Sequence, residues 1–416
     1  MIHPKSAGRT FYGWYVAAAC FLVMAMSVGV VNNSSGVFIK PVCESLGFSR
    51  GAMAVNNTII AASCMAVSLF AGPIYRRFDV RRVMVLSGAF MAAGYFGYSF
   101  CRTPPAFYAA SAVVGLSEAL LSCVAVSMVI GNWFCARRGT AMGIASMGSG
   151  IGGMLCNSLA GQAILRFGWQ HTYRLLALLM FVCVVPACFF VLRTRPEDVG
   201  LRPYGESPQP SGRPPQEAEG RLLAEVRHTA RFWLLCIASG ILSMSVSSVI
   251  QHIAPHISDV GFSDSFAATA AALCMGSLAA GKFLLGWLYD RLGVRGATLL
   301  SNLCIALTLA GALAVPFKPA LALIVAGAGL GGGFGMVATP LIAQMVYGRR
   351  DYGAILGRFS AFACAGSMAA PLFINRAYDR FGSYKPAFAV MLAAVCLSAL
   401  VYLFLFPRSA RITRRP

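Results

Sequence analysis

Apolar stretches of about twenty residues recur along the whole chain and alternate with short polar segments. An α-helix rises 1.5 Å per residue, so a stretch of this length crosses the ~30 Å hydrocarbon core of a bilayer. We therefore predict twelve transmembrane helices. They lie at residues 13–38, 52–74, 83–101, 106–131, 140–165, 173–192, 231–253, 265–288, 297–315, 320–346, 354–377 and 386–406.

The longest polar stretch follows the sixth predicted helix and occupies residues 193–230. It is rich in Pro, Gly, Glu and Arg, a composition typical of a linker. We therefore predict an N-terminal six-helix bundle at residues 1–192, a cytoplasmic linker at 193–230 and a C-terminal six-helix bundle at 231–416.

A sequence repeat relates the two predicted bundles to each other. Several residues of the first bundle recur 214 positions later in the second: Gly72 as Gly286, Tyr75 as Tyr289, Arg77 as Arg291, Gly139 as Gly353, and the run at 166–168 as the run at 380–382. One offset at separate places indicates two related halves. The predicted fold class is an all-α membrane protein with two pseudo-symmetric six-helix bundles, in which one half can rock against the other.

Composition and charge agree with a membrane location. Of the 416 residues, 58% are hydrophobic and only 12% are charged, where a soluble protein has about 25%. The net charge of +20 would suggest nucleic acid in a soluble protein. Here the termini and the even-numbered loops, with the helix ends beside them, hold 24 Lys and Arg, against nine at the odd-numbered loops and their helix ends. The positive-inside rule then places both termini in the cytoplasm. We expect a multi-pass inner (plasma) membrane protein in the lipid bilayer, with no nucleic acid partner.

The sequence indicates neither an enzyme nor a cofactor protein. The fourteen cysteines lie mostly in apolar runs without C-x-x-C spacing, and no His cluster accompanies them, so we expect no metal, cofactor or disulfide framework. No nucleophile–base set or phosphate loop is visible. A membrane sensor on a carrier fold is the alternative outside transport, but it needs a large soluble module, and the polar stretch at 193–230 is short.

One segment carries a family resemblance. Residues 286–295, Gly-Trp-Leu-Tyr-Asp-Arg-Leu-Gly-Val-Arg, resemble the loop signature G-x-x-x-D-R-x-G-x-R of the major facilitator superfamily. The first copy, at residues 72–82, departs from it, because Arg76 stands where Asp is usual and Asp79 where Gly is usual. Two copies at equivalent places make the resemblance strong for the fold.

Further segments are similar to one group within that superfamily, the monocarboxylate porters and oxalate/formate exchangers. They are Gly13-Trp14-Tyr15, the runs at 132–150 and 195–201, and Tyr378 to Tyr384. The resemblance implies a secondary transporter with a small carboxylate substrate and alternating access.

Two charged residues lie well inside predicted spans, Lys282 in the eighth and Glu118 in the fourth. A charge at a helix centre costs about 2.5–3.5 kcal/mol, so function or pairing normally retains it. The porters carry an arginine four residues before the signature glycine, and the resemblance implies that Lys282 binds the substrate carboxylate. Glu118 is a candidate for proton coupling. The alternatives are that Lys282 reaches toward the cytoplasm, that Glu118 is a neutral hydrogen-bonded acid, or that the two pair with each other.

Other polar residues could line a cavity near these charges. The candidates for substrate binding are Asn32, Asn33, Asn57, His252 and Arg358. The plainer interpretation for each is a hydrogen bond between helices.

The repeat also predicts contacts between the halves. The offset relates Asp290 to Arg76 and Asp351 to Arg137, so both positions exchange charge. The resemblance implies that this loop acid faces a helix start in the opposite half. We predict a cytoplasmic gate of two ion pairs, Asp290 with Arg137 and Arg76 with Asp351, with Arg291 beside them. The alternative is ordinary loop charge, with Asp351 capping a helix.

These observations predict a monomeric, proton-coupled secondary transporter of a small monocarboxylate-like anion. Organic anion exchange of the oxalate/formate type is the first alternative. Drug or metabolite efflux is less favoured, because Ser111 stands where proton-coupled exporters carry an arginine. A cationic drug would also be expected to use Glu118 and not Lys282.

Overall fold

A computed structural model of the chain describes residues 11–206, 220–315, 317 and 319–406. Twelve long helices, labelled α1 to α12, follow one another along this part of the chain, which contains no β-strand. They are α1 (Tyr12–Met24, Ala25–Gly29, Val30–Asn33 and Ser35–Leu46), α2 (Arg50–Arg77), α3 (Val80–Tyr98), α4 (Pro104–Leu121 and Cys123–Trp133), α5 and α6 (the two parts of Arg138–Pro186, continued by Ala187–Val191), α7 (Ala230–Asp259), α8 and α9 (the two parts of Asp264–Ala314), α10 (Ala320–Gly332, Phe334–Ala338 and Thr339–Tyr347), α11 (Tyr352–Phe381) and α12 (Lys385–Leu405).

Two glycines turn the chain where the sequence predicted short loops. Gly168, with φ 79°, separates α5 from α6, and Gly293, with φ 73°, separates α8 from α9. A positive φ is unfavourable for residues that carry a Cβ, and glycine therefore allows the turn within one residue. The predicted gaps at 166–172 and 289–296 are consequently helical on both sides of a single glycine.

The number of crossings agrees with the prediction. Nine stretches of the described chain are long and apolar enough to cross a bilayer. Two of them contain the turns at Gly168 and Gly293, so the nine account for eleven crossings. The twelfth is α3, with 19 residues. The predicted twelve-helix fold is confirmed.

The halves, α1–α6 and α7–α12, meet along two helix pairs, α5 with α8 and α2 with α11. The 214-residue offset maps α2 onto α8 and α5 onto α11, so the repeat relates the two contacts. Glycines bring the backbones together: a Cβ on Gly286 would lie 2.2 Å from the Gly139 carbonyl oxygen, and one on Gly72 would lie 2.4 Å from the Ala354 Cβ. Small residues permit this approach between membrane helices.

The linker contacts both halves at repeat-related positions. Tyr204 forms an isolated β-bridge with Phe134, and Gly220 forms one with Gly348. Phe134 and Gly348 are 214 residues apart. We call the end of the bundle where these contacts lie the linker-side end. Residues 207–219 of the predicted linker lie outside the described part of the chain.

Candidate functional site

Three helices are interrupted within their spans. In α1 a π-helical turn at Ala25–Gly29 is followed by a break at Ser34, and α4 breaks at Ser122. In α10 a π-helical turn occupies Phe334–Ala338. Ser122 and Met336, inside that turn, are 214 residues apart, so the repeat relates the interruptions of α4 and α10. Interrupted helices and π-helical turns are frequent at functional sites in membrane transport proteins.

The ammonium group of Lys282 lies between the two halves. The side chain, on α8, is only 3% exposed, and its Nζ donates a hydrogen bond to the Ser149 Oγ on α5 at 2.7 Å. Within the described residues the ion pairs are Lys40 with Glu44 and Arg76 with Asp351, so no carboxylate neutralises Lys282. The nitrogen therefore faces the other half of the protein as an uncompensated buried positive charge.

Ser149 was not singled out from the sequence, yet it connects two of the predicted residues. Its hydroxyl accepts from Lys282 and donates to the Ser146 carbonyl oxygen at 2.7 Å. Its own carbonyl oxygen accepts from the Asn33 Nδ2 at 3.0 Å. One residue of α5 thus holds a side chain of α1 and a side chain of α8.

The flanking glycines explain why Ser149 can reach both neighbours. A Cβ on Gly148 would lie 2.2 Å from the Phe21 carbonyl oxygen of α1, and one on Gly150 would lie 2.7 Å from the Ala279 Cβ of α8. The Gly-Ser-Gly run at 148–150 therefore packs closely on two helices at once, and it was the available sequence signal for Ser149.

Glu118 is the second ionisable residue buried within a span. The residue, on α4, is 5% exposed, and its Oε1 accepts a hydrogen bond from the Asn32 Nδ2 at 2.6 Å. Pairing with Lys282, left open by the sequence, is not what the structure shows, since each group has a different partner. Asn32 and Asn33 are both exposed, so α1 carries two amides at the border between the buried groups and open space.

Asn57 lies in a separate cavity of about 30 Å³ inside the N-terminal half. Asn56, Tyr95, Tyr98 and Tyr173 also line this cavity. Asn57 is exposed within it and is not among the residues that contact Lys282 or Glu118.

His252 and Arg358 have partners other than Lys282. The His252 Nδ1 lies 3.1 Å from the Ser248 carbonyl oxygen one turn earlier, and its ring lies against Tyr384, inside the C-terminal half. The Arg358 Nη1 donates to the Leu69 carbonyl oxygen at 2.7 Å and so joins α11 to α2. In this structure His252 packs within the C-terminal half and Arg358 joins the two halves, and their part in substrate binding stays a prediction.

One of the two predicted ion pairs is present at the linker-side end. The Arg76 Nη1 lies 3.4 Å from the Asp351 Oδ1, with the Arg76 side chain 63% exposed and that of Asp351 9% exposed. The other Asp351 oxygen accepts from the Leu223 backbone N–H at 2.9 Å, which brings the linker to this pair. Asp351 occupies the N-cap position of α11, but its side chain makes no capping hydrogen bond there.

The predicted pair of Asp290 with Arg137 is wrong. The Asp290 carboxylate instead accepts from the Gly139 N–H at 2.8 Å and from both the N–H and the hydroxyl of Thr140 at 2.6 Å. These N–H groups are free at the start of α5, where the helix dipole also favours a negative charge. Arg137 has φ 55° and an exposed side chain.

Arg291, also predicted at the gate, lies over the ring of Trp287, one turn earlier in the same helix. Its Cζ is 4.3 Å from the ring centroid. The residue is exposed, and this cation–π contact replaces the predicted position beside the ion pairs.

Two six-helix halves with buried polar groups at their interface define a membrane transporter. A family model described as Major Facilitator Superfamily matches residues 17–346 and 239–416. The chain belongs to the major facilitator superfamily.

Known relatives and structures agree with this assignment. Monocarboxylate transporter 4 of Mus musculus is 28% identical over 261 residues, which cover 62% of this chain and 53% of that protein. Monocarboxylate transporter 11 of Mus musculus is 24% identical over 425 residues, covering 98% and 90%. The proton:xylose symporter XylE bound to 6-bromo-6-deoxy-D-glucose superposes with a TM-score of 0.70 at 12% identity, covering 95% and 96%. The chain thus spans about half the length of the first relative and nearly all of the second.

Proposed function

We propose that this transporter carries a small organic anion of the monocarboxylate type, together with a proton, by alternating access. The observation that carries the proposal is the buried ammonium of Lys282, which has no counter-ion in the described chain and lies between the halves. A buried charge without a partner is strongly unfavourable, and a substrate carboxylate would supply the missing negative charge. Lysine is a point charge and lacks the planar fork of arginine. A site built on lysine should therefore accept carboxylates of different shapes.

The position of Lys282 supports alternating access. The Lys282–Ser149 contact joins α8 to α5, so a substrate bound there touches both halves. The close glycine contacts and the Arg76–Asp351 pair hold the halves together at the linker-side end. Asn32 and Asn33 remain exposed. These observations favour a conformation that is closed at the linker-side end and open at the opposite end.

Glu118 is the proposed proton carrier. It is a buried carboxyl group held by an amide, and no cation of the described chain pairs with it. Such a group can take up a proton when the site is desolvated and release it when water enters. Asn32 binds Glu118, and its neighbour Asn33 binds Ser149. One segment of α1 therefore links the Glu118 carboxyl group to the Ser149–Lys282 contact.

The distribution of Lys and Arg supports a cytoplasmic position for the linker-side end and for both termini. We place the protein in the inner (plasma) membrane as a functional monomer. The named activity of the monocarboxylate transporters agrees with this substrate class.

The test is uptake of a panel of labelled mono- and dicarboxylates into proteoliposomes. Lys282→Ala should abolish saturable uptake, and Lys282→Arg should retain part of it, because the charge is kept. Lys40→Ala, which removes an exposed lysine paired with Glu44, is the matched control and should transport normally. Normal carboxylate uptake by a correctly inserted Lys282→Ala variant would overturn the anion assignment.

Proton coupling is tested separately. A proton gradient should drive accumulation in the unmodified protein but not in Glu118→Gln, whereas Glu44→Gln, on an exposed carboxylate, should behave normally. If uptake instead needs a carboxylate on the opposite side and ignores the proton gradient, the protein is an anion exchanger.

A further inference from the structure

A second cavity lies at the linker-side end, and Lys282 is not among the residues that line it. Its volume is about 90 Å³, several times the ~10–15 Å³ that one water requires. Arg76 and Asn132 line it from the N-terminal half, and Gln344, Arg349 and Arg350 line it from the C-terminal half. The cavity therefore exists only where the two halves meet.

The lining carries an excess of positive charge. The lining includes the guanidinium groups of Arg76, Arg349 and Arg350 but only one carboxylate, that of Asp351. This carboxylate already pairs with Arg76 and accepts a hydrogen bond from the linker. The Arg349 Nη2 donates to the Gly131 carbonyl oxygen, a neutral acceptor, so its charge is not neutralised. Arg350 is exposed and has no hydrogen-bond or ionic partner among the described residues.

A glutamine amide also lines the cavity. Gln344 is 7% exposed and lines the cavity, and its side chain makes no hydrogen bond to any residue of the described chain. Its amide therefore offers both a donor and an acceptor to a molecule in the cavity.

We propose that this cavity binds a phosphate-type anion. Arg349 and Arg350 supply planar donor forks, which suit the tetrahedral oxygens of a phosphate, and Gln344 and Arg76 complete the donors from either side. The shared chemistry is a phosphate group, either free in solution or in the headgroup of an anionic lipid.

Anion binding here has a conformational consequence. The ligand joins Arg76 of one half to Arg349 and Arg350 of the other, so it binds only while the linker-side end is closed. A ligand specific for one state shifts the population toward that state. The anion therefore stabilises the closed linker-side end and slows any cycle that must open it.

The experiment measures thermal unfolding of the purified full chain in detergent during titration with sodium phosphate at constant ionic strength. The unfolding midpoint should rise in a saturable way. Arg350→Gln should weaken the apparent affinity by about tenfold or more, as expected for loss of a charged hydrogen bond. Arg82→Gln, an exposed arginine at the same end with the same charge change, is the matched control and should behave like the unmodified protein.

Two further arms locate the ligand and its source. Lys282→Ala should keep the phosphate effect; if that variant loses it while Arg350→Gln retains it, phosphate binds in the central site and the proposal is wrong. If phosphate has no effect in detergent but phosphatidylglycerol vesicles stabilise the protein in an Arg350-dependent way, the ligand is a lipid headgroup. Equal responses of Arg350→Gln and Arg82→Gln in both arms would overturn the proposal. None of these measurements requires the transported substrate, so their failure leaves the carboxylate proposal untouched.

Discussion

The Lys282 Nζ lies 2.7 Å from the Ser149 Oγ, and this hydrogen bond crosses from α8 of one half to α5 of the other. Among the described residues it is the hydrogen bond that the Lys282 ammonium group makes. Because Ser149 also holds Asn33 through its carbonyl oxygen, the α1, α5 and α8 helices meet at this point.

Removal of the Ser149 hydroxyl should lower the stability of the protein without preventing carboxylate binding. Ser149→Ala leaves Lys282 without its hydrogen-bond acceptor, and we expect the empty protein to lose about 1.5–3 kcal/mol of stability, the range for hydrogen bonds to charged groups. Stabilisation by a bound carboxylate should remain, because the ammonium is unchanged. Thermal unfolding with and without the best carboxylate of the uptake panel measures both effects.

The control for this variant is Ser158→Ala, which removes an exposed hydroxyl of the same helix that bonds only to the Met154 carbonyl oxygen. It should leave both midpoints unchanged. Loss of the carboxylate effect in Ser149→Ala, to the degree seen in Lys282→Ala, would mean that the substrate binds the serine rather than the lysine.

Asp290 should act as a helix cap and not as a partner of Arg137. Asp290→Asn removes the charge from the start of α5 and should lower stability by up to about 2 kcal/mol, since charge–dipole interactions at helix ends lie in this range. Arg137→Gln should change little, because the Arg137 side chain is exposed and does not contact Asp290. Thermal unfolding of the two variants decides between the interactions, and an equal loss in both would restore the ion-pair hypothesis.

The Arg76–Asp351 pair should affect the balance between conformations more than overall stability. Because the Arg76 side chain is 63% exposed, solvent screens the pair, and we expect it to contribute about 0–1 kcal/mol, or at most about fivefold in a two-state equilibrium. Arg76→Gln should therefore change the uptake rate by no more than this factor. Reversal of the pair, Arg76→Asp with Asp351→Arg, should recover only part of any loss, because Asp351 also accepts from the Leu223 N–H.

The exposed Lys40–Glu44 pair, within one helix, is the control for that series. Its reversal should not alter uptake. A double variant at Arg76 and Asp351 that is no better than the worse single variant would count against the pairing.

The glycine contact between α5 and α8 should tolerate no side chain. Gly286→Ala places a Cβ 2.2 Å from the Gly139 carbonyl oxygen, and a backbone atom cannot move aside without displacing the helix. We expect a loss of about 1–3 kcal/mol, the usual cost of overpacking, and slower uptake because the linker-side end closes poorly.

The control lies on the same helix. Gly276→Ala meets nothing within 4 Å and should be neutral or stabilising by up to about 1 kcal/mol. Comparison of the two unfolding midpoints tests the contact, and similar values would show that the helices are not closely packed there.

Much of the molecule was predictable from the order of residues alone. The twelve helices follow from apolar stretches whose length matches the thickness of a bilayer, and the relation between the halves follows from the 214-residue offset. Lys282 and Glu118 stood out because ionisable groups are costly inside a span, wherever they point. These features depend on composition along the chain, and they need no knowledge of which helix faces which.

Only the tertiary structure decided which groups meet. A change in rotation or depth of a helix moves a side chain from one neighbour to another without altering the apolar pattern that predicts the span. The rotation of α5 brings Ser149 to Lys282. The free N–H groups at the start of α5 bind Asp290, and Arg137 does not contact this carboxylate. The same freedom turned His252 into its own half and Arg358 onto α2. Contacts between helices are set by packing in three dimensions, and a one-dimensional pattern does not contain that information.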